Sequence, residues 1–129
     1  MVKGIGIDLV DIRRMQKIME KDSGPAFLQR TFTEAERGQA GTARNPAEYY
    51  AARFAAKEAV FKAVAHLTPS HAFDLRIVET LNRGDGSPYV NITDRLQPVL
   101  KQAGVTALHI SITTEGDYAA AFVIACDQE

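Results

Sequence analysis

The chain has a single cysteine, Cys126, so neither a disulfide framework nor a thiolate metal site can be built within it. That scarcity fits a reducing compartment, and a cytoplasmic protein is expected. No apolar stretch approaches the ~20 residues of a membrane span, so no membrane partner is expected. Met1-Val2-Lys3 leads straight into an alternation of glycine and isoleucine, and no secretory leader is expected. Net charge is lacking too. With 15 basic residues against 16 acidic ones the chain carries −1 at pH 7, which offers no overall field for nucleic acid. Repeats, low-complexity tracts and linkers are absent. What remains is 129 residues, 46% apolar and 24% charged, the composition of one globular domain over 1–129 with enough chain for a real core.

The stretch that organises the rest is Phe54-Ala55-Ala56-Lys57-Glu58-Ala59-Val60-Phe61-Lys62-Ala63, inside an apolar helical run from about Pro46 to Ala65. At about 100° per residue, Ala51, Phe54, Ala55, Phe61, Lys62 and Ala65 fall within roughly 60° of Glu58. The opposite side carries Tyr49, Ala52, Ala56, Val60 and Val64. With no broad polar face, the helix is expected to be buried on most sides. Glu58 and Lys62 are then open to two readings. They form an ordinary ion pair one turn apart, or Glu58 holds a metal while Lys62 meets a phosphate.

Val2 to Val10 reads as a strand, with Lys3, Ile5, Ile7 and Leu9 on one face and Gly4, Gly6, Asp8 and Val10 on the other. Glycines beside Asp8 leave room for something bulky to approach the carboxylate. Asp11 caps a helix through about Glu20, whose Arg13, Arg14, Lys17 and Lys21 make a positive ridge. The ridge is a solvated face or a docking surface for an acidic partner. Ser23-Gly24-Pro25 breaks the chain before a short helical piece at Phe27–Arg30. Thr33 with Glu36 forms a capping box for the next helix, and Asn45-Pro46-Ala47-Glu48 starts the long one. Phe73–Leu81 and Pro88–Ile92 read as strands about the turn Arg83–Pro88, where Arg-Gly-Asp is hairpin chemistry and not an adhesion signal. A helix from Thr93 ends at Gly104. Leu108–Thr113 and Tyr118–Cys126 form a last hairpin about Glu115-Gly116-Asp117, with Leu108, Ile110 and Ile112 facing one way and His109, Ser111 and Thr113 the other. Tyr118–Cys126, almost wholly apolar or small, suits a central strand. The order β-α-α-α-β-β-α-β-β predicts an α+β fold with a mainly antiparallel sheet packed on a long central helix.

Asp8 and Glu58 are thus acids from different elements, and Mg²⁺ favours such sites, with one or two carboxylates and the remainder water and phosphate. Lys62 lies within reach of a phosphate that the same metal holds. Arg53 and His109 are further candidates for anion contact.

Four segments carry a resemblance over essentially the whole chain. They are Gly4-Ile5-Gly6-Ile7-Asp8-Leu9-Val10-Asp11, Arg30-Thr31-Phe32-Thr33-Glu34-Ala35-Glu36, Arg53 through Ala63, and His109-Ile110-Ser111-Ile112-Thr113 with Tyr118-Ala119-Ala120-Ala121. In order and spacing they resemble the 4′-phosphopantetheinyl transferases of the holo-acyl-carrier-protein synthase type, and the resemblance implies that fold. It implies Mg²⁺ as cofactor and coenzyme A as co-substrate. The phosphopantetheine arm would go to a serine of an apo acyl-carrier protein, as in fatty acid biosynthesis, with release of adenosine 3′,5′-bisphosphate. Asp8 and Glu58 would hold the metal. Lys62 would neutralise the transferred phosphate, and Glu58, directly or through a water, would be the base. Arg53, His109 and Ser111 would join Lys62 in contacting coenzyme A. Arg13, Arg14, Lys17 and Lys21 would dock the acidic carrier. The resemblance further implies a homotrimer with active sites between subunits.

Two departures stand out. The family's glycine-rich turn is replaced by Val64-Ala65-His66-Leu67-Thr68-Pro69-Ser70-His71, where His66 and His71 are candidates to stand in for the glycines. Thr114 stands where relatives carry a histidine or an acid. The missing glycines leave an alternative reading, a non-catalytic carrier-binding module of the same fold. Another Mg²⁺-dependent enzyme, cleaving the pyrophosphate of coenzyme A without an acceptor, is a third.

Overall fold

A computed structural model describes residues 1–68 and 74–128. Strand β1 (Val2–Asp11) leads into helices α1 (Ile12–Glu20), α2 (Gly24–Thr31), α3 (Glu34–Gly41) and α4 (Pro46–Val64). The hairpin β2 (Glu79–Asn82) and β3 (Pro88–Asn91), helix α5 (Gln97–Ala103), and the hairpin β4 (Ala107–Glu115) and β5 (Tyr118–Cys126) complete the chain. The expected α+β class holds, with one difference. All the strand pairs are antiparallel, but they divide into a sheet ordered β1-β5-β4 and the separate hairpin β2-β3. β5 is central, as its composition required.

The caps explain the helix boundaries. Asp11 accepts from the Arg13 and Arg14 amides, both bonds of the Thr33/Glu36 capping box form, and Asn45 accepts from Glu48 N. Gly104 ends α5 in the left-handed region at φ 72°. Gly24 and Pro25 do not break the chain; they begin α2, where the proline's missing N–H falls among donors that no helical carbonyl needs. The expected strand over Phe73–Leu81 is also shorter. Phe73 lies outside the described residues, Leu75–Ile77 is a 3₁₀ turn, and pairing begins at Glu79. The Asp74 carboxylate caps Arg76 N at 2.9 Å, and the Lys57 ammonium takes the carbonyls of Leu75 and Val78, so that segment's polar groups are satisfied without a partner strand.

α4 lies across the inner face of the three-stranded sheet. Its alanines, Val60 and Val64 form one core with Val123, Val78, Val90, Leu96 and Leu100, while Tyr50 and Ala51 share a second with Ile12, Met15 and Phe32. The glycines of β1 have a different role from the one expected. A Cβ at Gly4 would overlap Ala63 O, and one at Gly6 would overlap Ala59 O. What approaches them is the backbone of α4, which crosses β1 with no side chain between. The inner face of β1 is therefore its glycine face. Ile5, Ile7 and Leu9 point outward, 61%, 63% and 63% exposed, next to a partly exposed Phe122.

Candidate functional site

α4 is buried on nearly every side, and its open edge runs through Phe54, Glu58, Lys62 and Ala65. Asp8 follows the two glycines on the inner face of β1. The contact those glycines permit delivers its carboxylate to this edge. Lys62 Nζ donates to Asp8 Oδ1 at 2.9 Å and to Ile7 O at 3.0 Å. The ordinary pair one turn apart is not what forms: among the described residues the partner of Lys62 is Asp8, with no ion pair to Glu58. The Glu58 carboxyl is held above its usual range, first by burial and then by the nearby Asp8 charge, against a smaller opposing effect of Lys62. Two acids and one ammonium thus converge from elements 50 residues apart in the chain (Asp8 to Glu58).

Asp8 and Glu58 open into a cleft of about 540 Å³ that Arg14, Met15, Ile18, Phe27 and Phe54 also line. Phe27 stacks on Phe54 with ring centroids 6.4 Å apart. Phe54 was legible in the helical stripe. Phe27 was not: only the packing of α2 against this edge gives it a place in the wall. Among the described residues no three His, Cys, Asp or Glu side chains cluster as a ligand set. Zinc, which takes three or four protein ligands, does not fit this donor set. Two carboxylates beside an open cleft do fit Mg²⁺, which keeps several positions for water and phosphate.

Arg53, His109 and Ser111 are not brought to this cleft. Arg53 is buried on another side of α4, where it donates to Asn82 Oδ1 and lies 4.7 Å from the centroid of the Tyr49 ring. Its Nε and Nη1 are buried with no hydrogen-bond partner among the described residues. It edges a second cleft, of about 290 Å³, with Arg44, Asn45, Tyr49 and Thr114. Thr114 Oγ1 reaches Glu48 Oε1 at 3.5 Å. His109 and Ser111 stand exposed on the outer face of β4, His109 with Gln128 at 3.5 Å. His66 Nε2 sits 3.3 Å from Lys3 O, where it braces the start of β1, and His71 lies outside the described residues.

The α1 ridge is exposed along its length. Arg13 is engaged by Asp11 at 3.3 Å and Asp117 at 3.5 Å. Arg14 borders both the carboxylate cleft and an adjoining groove of about 790 Å³ that Lys17 also lines. Lys21 lies just past the helix end, as its cap. A further ion pair had no signal beyond the capping box. Lys57 Nζ meets Glu36 Oε1 at 2.7 Å, both side chains fully buried, with Glu36 also accepting from Thr80 N at 2.9 Å. Burial pulls the Lys57 ammonium below its usual range, and Glu36 opposes that shift.

Residues 4–123 match the model of the 4′-phosphopantetheinyl transferase superfamily. A holo-[acyl-carrier-protein] synthase of Desulforudis audaxviator is 42% identical over 97% of this chain and 93% of its own length. The crystal structure of holo-[acyl-carrier-protein] synthase from Neisseria meningitidis superposes with a TM-score of 0.86 at 33% identity, covering 97% of this chain and 98% of that one. The Bacillus anthracis enzyme, solved in complex with CoA (3′,5′-ADP), superposes with a TM-score of 0.75 at 29% identity, covering 97% and 96%.

Proposed function

The chain belongs to the 4′-phosphopantetheinyl transferase superfamily, and from that premise we propose that it is an enzyme that transfers the 4′-phosphopantetheine arm of coenzyme A to a serine of an apo acyl-carrier protein. The observation that carries the reading is a cleft beside the basic helix α1 that Asp8 and Glu58 both line, with Lys62 bonded to Asp8. Relatives of the same length bear the synthase name, and one is solved with coenzyme A bound.

The serine oxygen forms a bond to the phosphorus that carries the pantetheine, and the pyrophosphate P–O bond breaks. Adenosine 3′,5′-bisphosphate leaves with that bond's electron pair. Glu58 takes the serine proton, directly or through a water; its raised pKa brings it closer to neutrality, where a base works best. Lys62 meets the charge on the transferred phosphate. Asp8 and Glu58 would hold Mg²⁺, which supplies charge neutralisation and alignment of the phosphates. Arg14, with Arg13, Lys17 and Lys21, meets the acidic carrier, and Phe27 and Phe54 give its apolar contacts a seat.

Homotrimerisation, with each active site between two subunits, is part of the same reading. It is supported by the exposed apolar outer sheet face and by an Arg53 whose Nε and Nη1 have no hydrogen-bond partner among the described residues. In such an assembly Arg53, His109 and Ser111 of one subunit contact the coenzyme A held at a neighbour's Asp8 and Glu58. The single cysteine agrees with a cytoplasmic setting.

The test is incubation with an apo acyl-carrier protein, coenzyme A and Mg²⁺, followed by mass spectrometry of the carrier. The expected result is the gain of one phosphopantetheine arm, abolished by EDTA. A carrier that binds across several types but never gains mass overturns the reading in favour of a binding module. Release of adenosine bisphosphate without a carrier points instead to a pyrophosphatase.

A further inference from the structure

Lys62 cannot do two things at once. Its ammonium is fixed by Asp8 Oδ1 at 2.9 Å and by Ile7 O at 3.0 Å, so two of its three protons are committed to β1. Asp8 offers little else, since its side chain is only 18% exposed. A divalent cation that takes Asp8 as a ligand must therefore share its carboxylate with a positive charge already in contact with it. At such distances like charges repel strongly. Lys62, by contrast, is 54% exposed and can leave without disturbing the core. Glu58, one turn away, makes no ion pair among the described residues.

We propose that Lys62 is a tethered counter-ion that occupies the metal's place in the metal-free protein and is displaced from Asp8 when the cation loads. The proposal rests on the reading of Asp8 and Glu58 as the metal site. Its consequence is an order built into the cleft. Metal loading releases Lys62 at the moment a phosphate becomes able to use it. A phosphate that captures Lys62 in turn removes the metal's competitor, so the two ligands favour each other.

The probe is Mn²⁺, with no coenzyme A present, titrated into the metal-free protein and read by the EPR signal of free Mn²⁺. Lys62→Met keeps the apolar stem and removes the ammonium. It is expected to bind Mn²⁺ roughly fivefold more tightly, the size of a half-exposed ion pair that no longer has to be broken. Arg14→Met removes an equal charge from the cleft that Asp8 and Glu58 line, where Asp8 is bonded to Lys62 and not to Arg14, and is expected to change affinity by less than about twofold. A crystal structure with Mn²⁺ alone should show Lys62 Nζ beyond hydrogen-bond distance of Asp8. Equal affinity in wild type and Lys62→Met, an Arg14→Met gain as large as that of Lys62→Met, or Lys62 still on Asp8 beside a bound Mn²⁺ overturns the proposal. Asp8→Asn separates it from the metal reading. If that variant binds Mn²⁺ as well as wild type, or if none of the proteins binds it, the metal site itself is wrong and the displacement falls with it.

Discussion

Glu58 shows how a single residue's environment prepares its chemistry. Burial and the Asp8 charge raise its pKa above the usual 4.5, so the folded protein keeps a proton that the unfolded chain gives up. In that window the native state binds more protons, and stability contributed by this group falls as pH rises through it. Glu58→Gln removes the effect. In the metal-free protein its melting temperature at pH 7 should equal or exceed that of wild type, and the gap should close as pH drops below the ordinary glutamate range. Transfer should fall at least ~100-fold in the same variant. A collapse in melting temperature at pH 7 would mean instead that Glu58 is a structural partner. The positions of Asp8, Glu58 and Lys62 in the sequence motifs were legible, because carboxylates in glycine-flanked or alanine-rich settings stand out. The bond between Lys62 and Asp8 was not, since helical spacing favours Glu58 as partner and says nothing of a strand crossing the helix.

Among the elements, α3, α4 and the segment before β2 are joined by one buried ion pair. Lys57 spends its three donors on Glu36, Leu75 O and Val78 O, all away from water. Removing one partner leaves a buried charge alone. Lys57→Met should cost about 3–5 kcal/mol in urea unfolding, and the double variant Glu36→Gln, Lys57→Met should recover a large part of that loss. Additive losses would show that the two side chains act independently. The same network explains the error in the strand over Phe73–Leu81. Alternation marked the residues, but Lys57 accounts for two of their carbonyls and leaves Leu75–Ile77 as a turn. The glycines Gly4 and Gly6 were read as room for a bulky group to reach the Asp8 carboxylate, which is not what fills that space. That the approaching group is the α4 backbone depends on the packing.

At the scale of the whole molecule the proposed trimer rests on the outer sheet face. Ile5, Ile7, Leu9 and Phe122 lie together on it, exposed. Ile7→Asp should leave the circular dichroism spectrum intact while sedimentation shifts from trimer to monomer and transfer is lost. A folded, fully active Ile7→Asp monomer would sink the shared-site reading. Mixed trimers give a second check. Glu58→Gln and Arg53→Gln are each expected to be inactive as homotrimers. Refolded together in equal amounts they should recover up to about a quarter of wild-type activity, because some interfaces then pair an intact Glu58 with a neighbour's intact Arg53. No recovery would place Arg53 outside the shared site.

The sequence by itself determined the caps at Asp11, Thr33 and Asn45 with the helices they open, the central place of Tyr118–Cys126, the α+β class and the family, because these depend on local periodicity, capping chemistry and the order of motifs along one chain. The starts of α2 at Gly24 and of α5 at Gln97 differ from the expected Phe27 and Thr93. The tertiary structure alone decided three things. It turned the glycine face of β1 inward and its isoleucines outward, since two glycines let a helix backbone lie closer than any side chain allows. It gave Lys62 to Asp8 and Lys57 to Glu36, since partners distant in sequence meet only when elements cross. It set Arg53, His109 and Ser111 away from the carboxylates, since one chain presents those faces in different directions.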